Sequence, residues 1–172
     1  MDQVIDASAI DPTFAQRVAA DPGGERLTRC FACGTCTASC PVREVTERYN
    51  PRRIIHMALL GLKEQVLTSD FIWLCSTCYA CQERCPQDVR ITDLMHAIKN
   101  VAVQEGHVPA ACLTPVDLLS AHARLYDITD VVNATRTALG LPAIIEEPED
   151  YQRILAETGL GALGEQAGEG EP

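Results

Sequence analysis

The sequence predicts an all-α protein, and three observations carry that prediction. Aromatic residues make up only 5% of the 172 residues, while the hydrophobic share of 47% leans on Ala, Leu, Val and Ile, a balance suited to packed helices more than to pleated strands. Two segments in the first two thirds of the chain carry apolar residues at helical spacing between a capping residue and a glycine. Two further helix signals follow them, at Pro115–Leu125 and Pro148–Thr158.

Taken in order, residues 1–24 read as an N-terminal arm. It holds one weak helix signal, Asp11-Pro12-Thr13-Phe14-Ala15, with Pro in a first-turn position, and ends in the breaker Pro22-Gly23-Gly24. Residues 25–106 form the predicted central domain. Within it Asn50 caps a helix with Pro51 at its first position, and Ile54, Ile55, Ala58, Leu59 and Leu62 share a face around Gly61. Thr92 is the expected cap of a second helix, whose Leu94, Met95, Ile98, Val101 and Ala102 line one side before Gly106 ends it. Residues 107–158 read as a C-terminal helical extension, with an acidic opening turn at Pro148–Thr158 that suits the positive end of a helix dipole. From Gly159 to Pro172, Gly and Glu dominate, which predicts a flexible acidic tail.

The net charge of −10 is unevenly distributed. Residues 25–102 hold 10 Lys/Arg against 8 Asp/Glu, and the flanks hold 4 against 16. Nucleic acid is therefore not an expected partner, because phosphate binding needs a net basic face. The N-terminus has neither a basic segment nor an apolar stretch of the secretory type, and no apolar run reaches the roughly 20 residues that span a bilayer. A soluble, cytoplasmic protein without direct membrane insertion is expected. In that compartment nine cysteines point to metal binding or redox chemistry and away from a disulfide scaffold.

Spacing decides between those. The pattern Cys-x-x-Cys-x-x-Cys-x-x-x-Cys-Pro occurs at Cys30–Pro41 and again at Cys75–Pro86. A Cys-x2-Cys-x2-Cys loop brings three thiolates onto three irons of one cubane, and the fourth ligand must arrive from elsewhere. In two-cluster ferredoxins each run lends its fourth Cys to the other cluster. Two [4Fe–4S] clusters are thus expected, one on Cys30, Cys33, Cys36 and Cys85, the other on Cys75, Cys78, Cys81 and Cys40. Zinc sites use two Cys pairs separated by a long loop, and a redox dithiol needs one pair beside a βαβ pattern; neither matches a doubled run of four.

The remaining candidates are weaker. Cys112 reads as a small buried hydrophobe. The histidines at 56, 96, 107 and 122 are scattered and complete neither cluster. Gly159-Leu-Gly161-Ala-Leu-Gly164 matches a dinucleotide fingerprint but lacks the preceding strand, so no flavin or nicotinamide is expected. Arg29, Arg43, Arg52, Arg53, Arg84 and Arg90 lie near the Cys runs, where they either favour the reduced clusters or serve solubility and partner contacts. Ile72, Trp73 and Tyr79 beside the second run either line a partner interface or shield the cluster from water.

The stretch Cys30-Phe-Ala-Cys-Gly-Thr-Cys-Thr-Ala-Ser-Cys-Pro41, followed by Asn50-Pro-Arg-Arg-Ile-Ile-His-Met-Ala-Leu-Leu-Gly-Leu62 and Ile72-Trp-Leu-Cys-Ser-Thr-Cys-Tyr-Ala-Cys-Gln-Glu-Arg-Cys-Pro86, resembles the HdrC family of heterodisulfide reductase over roughly residues 25–105. The resemblance implies an α-helical ferredoxin-like domain with helical N- and C-terminal extensions. It also implies an electron-transfer subunit, with no active site of its own, in an oxidoreductase complex. Its partners would be a flavin-containing, HdrA-like subunit and an HdrB-like subunit whose Cys-Cys-Gly motifs carry the disulfide-reducing site. No Cys-Cys-Gly occurs in this chain, so substrate chemistry is expected on another polypeptide. A free-standing ferredoxin-like carrier, or the iron–sulfur subunit of another oxidoreductase, is the alternative.

Overall fold

A computed structural model describes residues 7–162, and among these the regular structure is entirely helical. Residues 1–6 of the expected arm, and Gly164 with most of the expected acidic tail, lie outside the described residues. No helix among those described is long and apolar enough to cross a membrane. The chain divides into two compact units, one running to His107 and one from Val108.

The first unit contains α1 (Phe14–Ala20), α2 (Thr35–Ala38), α3 (Pro41–Val45), α4 (Pro51–Leu59), α5 (Lys63–Leu67), α6 (Ala80–Glu83) and α7 (Ile91–Gln104). Its axis is α7, against which α1, α5 and α6 pack, while α4 lies on α1, α2 and α5. The apolar stripe of α7 is buried as its spacing predicts, with Leu94, Met95, Ile98, Val101 and Ala102 all in the core. Burying such Leu and Ile side chains contributes about 1.5–3 kcal/mol each. The N-terminal segment does not stand apart from this core: Phe14 and Val18 of α1 are fully buried in it. Asp11 donates its backbone N–H to the Gly61 carbonyl at 2.8 Å. Gly61 has φ +77°, and a Cβ there would lie 2.3 Å from the Asp11 carbonyl oxygen. Only glycine fits both constraints.

Two caps differ in outcome. Asn50 caps α4 as expected, its side-chain oxygen accepting from the Arg53 N–H at 3.0 Å. Thr92 does not cap α7; the cap position is two residues earlier, at Arg90 in a left-handed conformation, and Thr92 is buried in the first turn. Its capping role falls to Gln82, whose side-chain oxygen accepts from the N–H groups of Thr92 at 3.2 Å and Asp93 at 3.4 Å. A residue ten positions away thus satisfies amide donors that the local sequence leaves free.

The second unit contains α8 (Ala110–His122), α9 (Asp130–Ala138) and α10 (Glu149–Thr158). Its first helix begins behind Pro109, earlier than the predicted Pro115, which sits inside it. Helix α9 was not expected from the sequence, although Thr129 precedes it and Gly140, at φ +73°, follows it. Helix α8 packs on α10, and Gln152 Nε2 donates to the Ser120 carbonyl at 2.9 Å. Leu113 and Leu155 are the buried residues in the described part of this unit. Hydrogen bonds tie the remaining segments together. Asn133 donates to the Ile144 carbonyl at 3.1 Å and accepts from the Ile144 N–H at 2.8 Å, and Arg136 Nε donates to the Pro142 carbonyl at 3.0 Å. His122 Nδ1 lies 3.1 Å from Glu146, and this contact holds the Glu146 carboxyl below the usual carboxylate range.

Candidate iron–sulfur centres

Each Cys run folds as a loop followed by a short helix, and the two loops share one backbone pattern. The residues flanking the second Cys have positive φ in both: Ala32 (+66°) and Gly34 (+86°) around Cys33, Thr77 (+55°) and Tyr79 (+62°) around Cys78. These left-handed residues bend the chain around a hollow. Glycine takes the conformation without strain, whereas Tyr79, in the position matching Gly34, holds it at a cost of about 1–2 kcal/mol. The third Cys of each run then lies on a short helix, Cys36 on α2 and Cys81 on α6, and these two helices pack together.

That contact crosses the runs. A hollow open to solvent is lined by Cys30, Cys33 and Cys36 of the first run and by Cys85 of the second. Another is lined by Cys75, Cys78 and Cys81 together with Cys40. None of these cysteines is paired in a disulfide. Neither lining includes a His, Asp or Glu, so each site offers soft sulfur donors, the set that favours iron–sulfur clusters or zinc over hard cations. In each set the second Cys of the run, Cys33 or Cys78, is exposed. Cys36, Cys40 and Cys81 are buried.

Polar groups reach the sulfurs. The Thr35 hydroxyl lies 3.4 Å from Cys33 Sγ, and this contact with the Thr35 backbone lowers the thiol pKa. Burial raises the thiols of Cys36 and Cys81, the latter to about 11, so loading a metal there must release protons. The Thr92 hydroxyl lies 3.8 Å from Cys81 Sγ, and the Val89 N–H donates to Cys85 Sγ at 3.4 Å. Tyr49 is buried against the second cavity, and burial, with Cys75 as hydrogen-bond partner, raises its pKa so that the phenol stays protonated.

The first loop is bolted to the start of α4. Thr37 donates its hydroxyl to Asn50 Oδ1 at 2.8 Å and accepts from the Arg52 N–H at 3.1 Å. Arg52 lines the first cavity; of the six arginines singled out in the sequence, it is the one that lines either cavity. Arg43 instead approaches Glu47 at 3.6 Å, and Arg90 approaches Asp88 at 4.0 Å.

Several residues stand elsewhere than the sequence suggests. Cys112 is exposed on α8 and not buried, because Leu113 beside it takes the inward position. Ile72 is fully buried and cannot meet a partner, and Trp73 is half-buried with Lys99 Nζ 5.7 Å from its ring centroid. Tyr79 alone of that trio is exposed. Phe31, 61% exposed at the first cavity, was not anticipated although it sits directly after Cys30. Neither were Tyr49 and Gln82; their roles depend on contacts distant in sequence, and only Tyr49, adjacent to the cap Asn50, had a local hint.

A family model described as a 4Fe-4S dicluster domain matches residues 26–89. Among curated proteins, the C subunit of the H(2):CoB-CoM heterodisulfide,ferredoxin reductase of Methanothermobacter thermautotrophicus is 35% identical, over 94% of this chain and 90% of the relative. The iron-sulfur C subunit of the CoB–CoM heterodisulfide reductase of Methanopyrus kandleri is 32% identical, over 91% of this chain and 84% of the relative. The C subunit of the ferredoxin:CoB-CoM heterodisulfide reductase of Methanosarcina mazei is 37% identical over 78% of this chain and 82% of its own length. A doubled four-cysteine motif, an all-helical fold and similarity along nearly the whole chain agree: this chain belongs to the HdrC family of heterodisulfide reductase, the iron–sulfur electron-transfer subunits of an oxidoreductase complex, and carries two [4Fe–4S] clusters.

Proposed function

We propose that the chain relays electrons, one at a time, between an HdrA-like flavoprotein subunit and an HdrB-like subunit with Cys-Cys-Gly motifs, in a cytoplasmic complex that reduces a heterodisulfide. Cys30, Cys33, Cys36 and Cys85 hold one cluster, and Cys75, Cys78, Cys81 and Cys40 hold the other. The observation that carries this reading is the four-and-four division of the cysteines between two cavities, with each run contributing to both. When bound, the clusters supply one-electron redox chemistry.

The protein's own residues supply the rest. Buried Cys36 and Cys81 sit on the packed helices α2 and α6, which keeps the two sites close, and exposed Cys33 and Cys78 give each site an edge at the surface. Electrons can then arrive at one edge and leave by the other. Residues 25–106 act as the relay module, residues 107–158 as an extension, and the acidic stretch 159–172 as a tail. The relatives' names refer to the CoB–CoM heterodisulfide, which makes a disulfide the favoured end substrate.

Anaerobic purification tests the reading. The chain should leave the cell in a stable complex with a flavoprotein and a Cys-Cys-Gly protein; a chain that emerges alone is a free carrier. The ligand sets are tested by electron paramagnetic resonance. Cys85→Ala should abolish the same signal as Cys30→Ala, and Cys40→Ala the same signal as Cys75→Ala. If Cys85→Ala matches Cys75→Ala instead, each run feeds its own cluster.

A further inference from the structure

We propose that the C-terminal unit is an assembly module, whose exposed apolar side chains dock into an apolar groove with a basic rim on another subunit of the complex. The inference rests on the reading that the chain works as a bound subunit and not as a free carrier.

Among the described residues, this unit has only a small core of its own. Leu113 and Leu155 are its buried residues among those described, and α9 has none. A helix of nine residues is marginal in water without a packed face, and a unit this small needs an added source of stability. Polar stitching by Asn133 and Arg136 fixes α9 to the segment 142–144 through hydrogen bonds. That attachment uses the polar side of the helix and leaves the apolar residues outward. Val131 is 74% exposed, Leu139 71% and Ile145 71%. Three aliphatic side chains this exposed, on and beside one short helix, offer apolar area for a partner to cover.

Charge selects the occupant. Residues 108–162 carry 8 Asp/Glu against 3 Lys/Arg, a net of −5. Two copies meeting through this unit would bring like charges together. A partner with Lys and Arg around an apolar groove is attracted instead. Glu146 is turned to His122, whereas Glu147, Glu149 and Asp150 lie exposed just after Ile145, so this apolar side chain has acidic neighbours. An apolar centre with a charged border is the usual anatomy of a protein interface.

Two measurements test the proposal on the anaerobically purified complex and on the isolated chain. Amides of Asp130–Ala138 should exchange with solvent quickly in the isolated chain and at least tenfold more slowly in the complex. The triple variant Val131→Ser, Leu139→Ser, Ile145→Ser should keep its iron and sulfide content but bind the remaining subunits about a hundredfold more weakly. Adding Glu147→Lys and Glu149→Lys should weaken binding further, most at low salt. Slow exchange of α9 in the isolated monomer would mean the chain covers its own patch and would overturn the proposal. A dimeric isolated chain with α9 protected would overturn it in favour of a second copy. A triple variant that assembles like the wild type removes the docking role and leaves the relay reading intact, whereas a wild-type chain that purifies alone removes both.

Discussion

Thr92 shows how a single side chain can set the character of a cluster site. Buried in the first turn of α7, with its hydroxyl 3.8 Å from Cys81 Sγ, it is placed to donate to that sulfur once it is a thiolate. Hydrogen bonds to sulfur stabilise added negative charge and so raise the reduction potential. Thr92→Val should lower the potential of the second cluster by roughly tens of millivolts, on the scale of about 59 mV per factor of ten for one electron, with the first cluster unchanged. Redox titration monitored by paramagnetic resonance measures both; an equal shift of the two would show that the effect is not local. Gly34 offers a test of backbone strain. At φ +86°, an added Cβ would meet no protein atom closer than Arg52 Cδ at 3.8 Å, so the cost of Gly34→Ala is backbone strain plus any crowding of the cluster whose cavity Gly34 lines. About 1–2 kcal/mol of stability should be lost, read as a lower melting temperature of the cluster-loaded protein.

At the scale of elements, the caps and ion pairs that join helices matter most. Asn50 both caps α4 and accepts from Thr37 of α2, the short helix that ends the first Cys loop. Asn50→Ala should therefore cost about 1–2 kcal/mol through the lost cap and also speed iron loss from the first site under a chelator. Equal rates of loss from both sites would deny the link to the loop. Glu105, at the end of α7, pairs with Lys63 of α5 at 2.8 Å and with Arg17 of α1. These contacts, Lys63 first, hold its carboxyl below the ordinary 4.5. A lowered carboxylate pKa contributes stability above the unfolded value, and that contribution disappears as pH falls through the folded value. The advantage of the wild type over Glu105→Gln in melting temperature should accordingly be full at about pH 7 and shrink below about pH 4.5. A constant difference across that range would assign the effect to packing.

For the whole molecule the dominant fact is the charge that the clusters introduce. Residues 7–107 carry 11 Lys/Arg and 11 Asp/Glu, so this unit is close to neutral before loading. Each oxidised [4Fe–4S] cluster with four thiolates brings a net −2, which must be met by amide donors and nearby cations such as Arg52. With the ligand sets proposed above, the clusters would tie the two runs together, and metal binding of this kind is itself folding free energy. The loaded protein should hold about eight irons and eight sulfides per chain, and anaerobic chelation should strip much of the helical circular dichroism. Stoichiometric zinc without sulfide, or unchanged helicity after iron loss, would contradict this account.

Helix class, the cap at Asn50, the apolar stripe of α7 and the doubled Cys run were all legible in the sequence, because each depends on residues within a few positions of one another. Their signals are periodicity, cap chemistry and spacing, which the chain displays locally. Exposure of Cys112, burial of Ile72 and the shift of Thr92 from cap to sulfur neighbour were not legible, since a residue's inward or outward position depends on which other element covers it. The substitute cap from Gln82 and the buried phenol of Tyr49 likewise come from chain segments that meet only in the folded state. The sequence by itself determined that eight cysteines stand in two matching runs. Spacing also predicted that each run lends its fourth cysteine to the other, and only the tertiary structure decided how: the packing of α2 on α6 brings Cys85 to the cavity of the first run and Cys40 to that of the second.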